Sequence, residues 1–338
     1  MKLSVLDQAP ISTGMSEQEA LQAMIDLAKH AEKHGYERFW VAEHHDLFGL
    51  ASPNPSVMIS AIGAQTEQIR LGAGAVLLPY YKPFSVAETY NLLATLYPNR
   101  IDLGLGRAPG GSAEVSQALS DNYLAGVREF PAKIAELQSF FKQDFPEDHP
   151  FSKITPTPVP PTPPDVWLLG TSEKSAKLAA EKGMKYAFGH FMTDVNGPEI
   201  VTNYRKEIKR KHPGKQVEVI IAISVICADT TEEAERLALS QWLWKKRQND
   251  PKSDGRVPSV KEAENYPMTK EEEKDFTQMK EQMIIGDPNK VRDQLTKLDF
   301  EYEADEYMVI TIVHDPIAKR HSYTLLQEVN KNIARNSR

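Results

Sequence analysis

The sequence has little cysteine, no long apolar run and no excess of basic residues. Cys227 is the single cysteine among 338 residues, so an intrachain disulfide and a thiolate-rich metal site are both excluded. No run approaches the roughly 20 apolar residues that a membrane-spanning helix needs. Residues 1–7 are too short and become polar too soon for a signal peptide. These absences predict a cytoplasmic protein that does not act at a membrane.

The balance of charge limits the partners of the protein. Lys and Arg number 40 and Asp and Glu number 47, which gives a formal net charge of −7. Nucleic acid and anionic membranes both attract basic surfaces, so neither is expected to be the main partner. The composition is otherwise that of an ordinary soluble protein, with 41% hydrophobic and 26% charged residues. Small molecules are therefore the predicted ligands.

Two expected motifs are also missing. The run Gly104-x-Gly106-x-x-Pro109 has proline where a dinucleotide-binding fingerprint has its third glycine, and a turn follows it where a helix should begin. A His-x-His pair, which would place two imidazoles on the same side of a strand for zinc, occurs nowhere in the chain. A Rossmann nucleotide site is therefore a poor fit, and a zinc site is weakly supported.

What the sequence does contain is a regular alternation of strands and helices. The eight predicted strands are residues 3–6, 39–42, 69–78, 100–105, 166–169, 186–188, 217–227 and 306–313. Eight strand–helix units favour a closed (β/α)₈ TIM barrel over an open doubly wound sheet, because the connections are right-handed and eight strands close around a core that side chains can fill. We predict one barrel domain over residues 1–338, with the charged and proline-interrupted residues 245–274 as a mobile insertion over the site.

Polar residues follow several of the predicted strands, where the active sites of such barrels lie. His44 in Glu43-His44-His45 is a candidate for proton transfer or hydrogen bonding, although a structural role is equally compatible with the sequence. Arg107 suits a phosphate or carboxylate, or else an ion pair within the fold. Gly170-Thr171-Ser172, followed by a helix through Ser175, outlines a phosphate site at a helix N-terminus, and a plain N-cap would have the same sequence.

Five motifs in the same order along the chain resemble the bacterial luciferase-like flavin monooxygenase family. They are Ser4–Pro10, Trp40–His45, Arg70–Pro79, Arg100–Gly110 and Trp167–Ser172. The resemblance spans nearly the whole chain and is weakest over residues 144–163 and 245–275. It is greatest to luciferase-like oxidoreductases of unassigned substrate that carry the Gly-Arg-Ala-Pro-Gly turn found here at residues 106–110.

The resemblance implies that FMN binds at the C-terminal ends of the barrel strands. His44 would be the catalytic residue. Glu43 and His45 would lie beside the isoalloxazine ring, and Gly74-Ala75 would lie under it, where the family often has a non-proline cis peptide. The cofactor-binding residues implied in all are Glu43, His45, Gly74, Ala75, Arg107, Gly170, Thr171, Ser172 and Ser175, and no metal ligand is implied.

The reaction implied by the resemblance is a monooxygenation. Reduced FMN would react with molecular oxygen to a C4a-peroxyflavin, which would oxidise a small organic substrate. A separate NAD(P)H:flavin reductase would supply the reduced flavin, and a homodimer is expected. A deazaflavin is an alternative cofactor. Two other functions stay open, namely a metal-dependent barrel hydrolase that uses His44, His190 and Asp315, and a non-catalytic flavin-binding protein.

Overall fold

Parallel strands form a closed barrel in the structure, a computed structural model that describes residues 1–248, 250 and 253–336. In the described residues the strands are β1 (Lys2–Asp7), β2 (Arg38–Val41), β3 (Arg70–Leu77), β4 (Ile101–Gly106), β5 (Asp165–Gly170), β6 (Lys185–Gly189), β7 (Val219–Cys227), β8 (Ile284–Gly286) and β9 (Glu306–Ile310). Neighbouring strands run in the order β6, β5, β4, β3, β2, β1, β9, β7, and pairing of β6 with β7 closes the ring. The short strand β8 adds to the end of β7.

This closed eight-stranded barrel confirms the fold predicted from the sequence. Strands β1 to β7 and β9 correspond to the eight predicted strands, with ends that differ by a few residues at most sites. Strand β8 was not predicted, because three residues are too few to show the alternation by which a strand is recognised. It lies outside the ring and does not change its topology.

Helices cover the outside of the barrel. Across the described residues they are α1 (Glu17–His34), α2 (Pro55–Gly63), α3 (Pro83–Leu96), α4 (Ala113–Leu119), α5 (Tyr123–Lys142), α6 (Glu173–Lys182), α7 (Gly197–Lys211), α8 (Thr231–Arg247), α9 (Val260–Glu264), α10 (Lys270–Gln282), α11 (Pro288–Tyr302) and α12 (Pro316–Asn336). A capping box formed by Ser16 and Glu19 begins α1, and Gly35 ends it in the left-handed conformation at φ 79°. Local sequence signals therefore set the ends of this helix.

Side chains alternate between two apolar regions along each strand. Val5 and Phe39 point outward into the core between the strands and the helices. Their neighbours Leu6 and Trp40 point inward and pack with Met308 inside the barrel. This period of two is the geometry of a strand in a barrel, and it determines which side chain of each strand faces the inside.

A network of buried charges fills the barrel at the N-terminal ends of its strands. The Arg38 guanidinium donates to Glu306 Oε1 at 2.7 Å and Oε2 at 2.8 Å, and to Asp102 Oδ2 at 2.8 Å. Arg70 also donates to Asp102, and its Nη2 lies 3.0 Å from Asp165 Oδ2. These residues are the first or second residues of β2, β3, β4, β5 and β9, so the network joins strand starts around the ring and closes this end of the barrel.

Residues 245–274 contain the end of α8, all of α9 and the start of α10. Ion pairs join Arg247 to Glu262 and Arg236 to Glu264, both at 2.6 Å. An isolated bridge pairs Val257 with Ser12, in the loop that follows β1, so part of the segment lies at the C-terminal end of the barrel. That the segment is a mobile lid stays a prediction, and its residues 249, 251 and 252 lie outside the described residues.

Cys227 ends β7 and is 1% exposed. Burial raises the pKa of its thiol to about 12, so the side chain is a poor nucleophile at neutral pH. In the described residues, no helix is at once long enough and apolar enough to cross a membrane.

Candidate active site

A cavity of about 390 Å³ lies at the C-terminal end of the barrel and brings together most of the predicted site residues. Its wall follows four adjacent strands, with His44 after β2, Gly74 and Ala75 in β3, Arg107 after β4, and Gly170–Ser172 at the end of β5. Glu43 and Ser175 also line it, and His45 does not. The apolar residues at the base of the cavity are Leu6, Trp40, Ala42, Ala187, Ala222 and Met308.

The wall at β3 and β4 is built with little side-chain volume. The Gly74–Ala75 peptide bond is cis, as the resemblance implied. A Cβ atom added to Gly106 would lie 2.9 Å from the Ala75 Cβ, so a larger residue at position 106 would displace the neighbouring strand. Glycine at position 106 is therefore required by the packing of β4 against β3, and Gly74, Ala75 and Gly106 give the cavity a wall of small residues.

His44 is the titratable side chain that faces the cavity from β2. Its Nδ1 atom is buried and has no hydrogen-bond partner among the described residues. Burial, assisted by the adjacent His45, lowers the pKa of His44 to about 4, so the imidazole is neutral at pH 7. A buried polar atom without a partner is costly, and a ligand group in the cavity could supply the missing hydrogen bond.

Glu43 also contributes to the cavity lining, but its carboxylate and the His45 imidazole make their polar contacts with each other and with the end of β3. Glu43 Oε1 accepts a hydrogen bond from the Tyr81 hydroxyl at 2.7 Å and lies 2.9 Å from His45 Nε2, while Oε2 accepts from the Leu77 backbone N–H at 3.0 Å. These contacts join the end of β2 to the end of β3. His45 packs edge-on against Tyr80 and lies outside the cavity lining. The carboxylate and the second imidazole therefore brace the site from behind in this structure.

The start of α6 has the geometry of both a helix cap and an anion site. Ser172 Oγ accepts from the Ser175 N–H at 3.4 Å, and Ser175 Oγ donates to the Ser172 carbonyl at 2.7 Å. A Cβ on Gly170 would lie 2.2 Å from Ser175 Oγ, so glycine is required where β5 meets this turn. Because the cap occupies the Ser175 N–H, the N–H groups of Glu173 and Lys174 are the donors of the first helical turn that remain for an anion.

Two cations lie on the same part of the wall. Arg107 is exposed, and its guanidinium has no hydrogen-bond or ion-pair partner in the part of the chain that the structure describes, so the alternative of an internal ion pair is not realised there. Lys174, in the first turn of α6, also lines the cavity. Sequence reasoning missed Lys174, because a lysine on a helix surface carries no signal of its own. It also missed Phe191 and Met192, which line the cavity just after β6.

The residues of the metal hydrolase alternative do not assemble. His190 Nδ1 lies 2.8 Å from the Tyr302 hydroxyl, and Asp315 Oδ1 accepts from the Ile317 N–H at 2.9 Å. Neither residue lines the cavity that contains His44. Within residues 1–248, 250 and 253–336, no group of three or more His, Cys, Asp or Glu side chains is arranged to hold a metal ion.

A barrel with a ligand cavity at its strand C-termini defines a broad class of enzymes, and comparison with known proteins narrows it. The family model for luciferase-like monooxygenases matches residues 1–300, and the chain belongs to that family. It is 44% identical over 327 residues to YceB of Bacillus subtilis (strain 168), covering 97% of this chain and 98% of that one. It is 36% identical over 330 residues to N-acetyl-S-alkylcysteine monooxygenase of the same strain, with the same coverage.

Solved structures show the same architecture. Apo-MsnO8 is 36% identical, with a TM-score of 0.88 and coverage of 98% of both chains. The oxygenating constituent of 3,6-diketocamphane monooxygenase from Pseudomonas putida, solved with FMN, has a TM-score of 0.70 over 97% of both chains. That protein is only 19% identical, so the likeness to it shows the fold alone.

Proposed function

We propose that the protein is an FMN-dependent monooxygenase that uses reduced flavin and molecular oxygen to oxidise a small organic substrate. The observation that carries this proposal is the single cavity at four adjacent strand ends, which combines an apolar base with a cationic wall. Membership of the luciferase-like monooxygenase family supports the reaction class. The FMN complex of the diketocamphane enzyme supports the cofactor by analogy.

The residues of the cavity fit a flavin nucleotide. Gly74, Ala75 and Gly106 line the cavity with little side-chain volume, so a flat ring could lie against this wall. His44 Nδ1, which is buried and has no partner among the described residues, can form a hydrogen bond with a polar ring atom. Arg107, Lys174 and the first turn of α6 would hold the phosphate, because they combine fixed positive charge with N–H donors.

The chemistry supplied by reduced FMN is the activation of oxygen, one atom of which enters the substrate. The chain itself would contribute three things. The apolar base at Leu6, Trp40 and Met308 excludes water from the reacting atoms. His44, neutral at pH 7, can accept or donate a hydrogen bond or move a proton beside the ring. The cationic wall fixes the orientation of the cofactor.

The substrate is best approached by screening small organic compounds with reduced FMN and oxygen. The cavity base is apolar, so an uncharged reacting group such as a thioether, aldehyde or ketone suits it better than an ionic one. The 36% identical relative is named for N-acetyl-S-alkylcysteines, so these compounds should be tested first. Consumption of oxygen without any oxidised organic product, across the whole set, would favour the non-catalytic flavin-binding alternative.

Arg107→Ala should weaken the binding of FMN by about tenfold to a hundredfold, because a charge-assisted contact to the phosphate is lost. The affinity for riboflavin, which has no phosphate, should change by less than about twofold. Titration followed by flavin fluorescence measures both dissociation constants. The same titration with a deazaflavin tests whether that compound, and not FMN, is the cofactor. Arg128→Ala is the matched control, since Arg128 is an exposed arginine outside the cavity lining. Equal losses for FMN and riboflavin would show that Arg107 serves the fold or the ring.

We expect NADH or NADPH to leave bound FMN oxidised unless a separate flavin reductase is added. The Gly104–Pro109 run continues into a loop, and α4 begins only at Ala113, so it lacks the helix start that a dinucleotide fingerprint places there. The phosphate-binding groups described above are all assigned to one FMN. The test is to mix the protein, FMN and NADH or NADPH under anaerobic conditions and to follow the absorbance of oxidised flavin. Rapid bleaching by the purified protein alone would contradict the two-component proposal.

The expected homodimer has a candidate interface on α2 and α3. Helix α2 contains no charged residue and α3 contains only Glu88, while Val57, Leu92 and Leu96 are exposed beside a second cavity of about 690 Å³. A nearly uncharged face can meet its own copy about a two-fold axis without repulsion. Leu92→Glu should therefore produce monomers in sedimentation analysis, whereas Phe300→Glu, at an exposed position on α11, should not. A monomeric unsubstituted protein would refute the interface.

A further inference from the structure

We propose that Tyr80 and Tyr123 form a clamp that positions Arg107 and so determines how strongly the protein prefers a phosphorylated flavin to an unphosphorylated one. This inference rests on the proposed function, since it assumes that Arg107 meets the phosphate. We refer to residues 107–110, which connect β4 to the region before α4, as the Arg107 loop. The two tyrosines are positioning residues, because they act through the main chain of this loop.

The carbonyl groups of the Arg107 loop are held by three separate donors. The Tyr123 hydroxyl donates to the Arg107 carbonyl at 2.8 Å, and the Tyr80 hydroxyl donates to the Pro109 carbonyl at 2.7 Å. The His45 backbone N–H donates to the Gly110 carbonyl at 2.8 Å. The loop has no helical or strand pairing of its own. Its conformation therefore depends on donors that come from other elements.

The two tyrosines also support each other. Their rings are stacked with centroids 4.9 Å apart and planes inclined by 29°. Tyr123 is the first residue of α5, and the Tyr80 hydroxyl lies 2.8 Å from Ser116 Oγ in α4. Burial, assisted by Tyr80, raises the pKa of Tyr123, so its hydroxyl stays protonated and able to donate at neutral pH.

The turn that carries Tyr80 is fixed by α5. Lys133 Nζ donates to the Pro79 carbonyl at 2.8 Å and to the Tyr81 carbonyl at 3.1 Å. A Cβ on Gly126 would lie 2.4 Å from the Pro79 oxygen, so the helix packs directly on the turn at this glycine. Both tyrosines are thus attached to the same helix, Tyr123 as its first residue and Tyr80 through the turn, and the clamp transmits the position of α5 to the Arg107 loop.

The effect on Arg107 follows from the geometry of its surroundings. Its side chain is exposed and its guanidinium has no hydrogen-bond or ion-pair partner among the described residues, so the direction in which it projects is set mainly by its own main chain. The bond from Tyr123 to the Arg107 carbonyl restricts that main chain. Removal of the Tyr123 hydroxyl should increase the conformational freedom of the Arg107 guanidinium and so weaken its binding to a phosphate. The cavity wall at Gly74 and Gly106, proposed to contact the flavin ring, should be unaltered.

The test is to measure the dissociation constants of FMN and riboflavin for Tyr123→Phe and Tyr80→Phe. Each substitution keeps the stacked ring and removes one hydroxyl. We expect the affinity for FMN to fall by roughly threefold to tenfold, the usual effect of one lost hydrogen bond. The affinity for riboflavin should change by less than about twofold. Tyr204→Phe is the matched control. The Tyr204 hydroxyl, in α7, also donates to a main-chain carbonyl, that of Met184, but this contact lies away from the cavity. This substitution should leave the ratio of the two constants unchanged.

A double-mutant cycle separates positioning from general stability. If Tyr123 acts through Arg107, Tyr123→Phe should have no further effect on the ratio of the FMN and riboflavin dissociation constants when Arg107 is already alanine. The clamp would be overturned if Tyr123→Phe weakened FMN binding as much in the Arg107→Ala variant as in the unsubstituted protein. Equal losses of affinity for FMN and riboflavin would overturn it as well. If Arg107→Ala weakens FMN binding relative to riboflavin binding and neither tyrosine substitution does, only the clamp is wrong. If Arg107→Ala leaves the ratio unchanged, the phosphate role of Arg107 is wrong as well.

Discussion

His44→Ala should lower product formation by about 10²- to 10⁴-fold, the range by which general acid–base groups contribute, while FMN affinity falls by no more than about tenfold, the effect of one lost hydrogen bond. His44 faces the cavity with an unsatisfied Nδ1 atom, and no phosphate-binding residue depends on it for position. The measurement is the yield of oxidised substrate per reduced FMN in a single turnover. His190→Ala is the control, since His190 lies outside the cavity lining beside Tyr302. Unaltered turnover would remove His44 from the mechanism.

The low pKa of His44 also affects stability. Burial and His45 lower it to about 4, from 6.5 for an unperturbed histidine, so the unfolded chain binds this proton at a higher pH than the folded protein does. The stability associated with His44 is therefore intact above about pH 6.5 and is lost progressively as the pH falls towards 4. The His44→Ala variant should show a shallower loss of stability over this range when urea unfolding is followed at several pH values.

Asp102→Ala should reduce the free energy of unfolding by about 3–5 kcal/mol, because it leaves two arginines without their shared buried partner. Asp102 is fully buried and accepts hydrogen bonds from Arg38, Arg70 and the Trp40 indole. Burial alone would raise the pKa of this carboxyl, but the two arginines lower it below its usual value. Urea denaturation followed by circular dichroism gives the free energy and the m-value.

The matched control for this prediction is Asp165→Ala. Asp165 bonds to Arg70 and Lys185 at the same end of the barrel, but its side chain is 42% exposed. An exposed ion pair contributes about 0–1 kcal/mol, so the control should lose far less stability than Asp102→Ala. Similar losses for the two variants would show that burial does not determine the strength of this network.

The barrel could be predicted because its signals are local. The capping box at Ser16 and the alternation of Leu6 and Trp40 with their outward neighbours are each encoded within a few residues. In the structure His44 lines the cavity and the adjacent His45 does not, which agrees with a period of two at the end of a strand. The position of the cavity at the strand C-termini follows from the fold, because the active sites of such barrels lie there.

The charge network and several cavity residues could not be predicted, since their signals are not local. Arg38 and Glu306 are 268 positions apart in the chain and meet only after the barrel closes. The role of Tyr81 as a donor to Glu43 depends on the turn after β3, whose shape the sequence does not specify. Lys174 is one of many surface lysines until α6 is placed against the cavity. These contacts are properties of the tertiary structure.

Burial of Cys227 makes the protein well suited to single-site labelling. A thiol with a pKa of about 12 that is 1% exposed reacts poorly with maleimides, so the natural chain should remain almost unmodified under native conditions. A cysteine introduced in place of the exposed Asn265, in the 245–274 segment, would then carry the only fluorophore on the molecule. The anisotropy of that fluorophore, recorded with and without FMN, would report directly whether this segment moves when the cavity is filled.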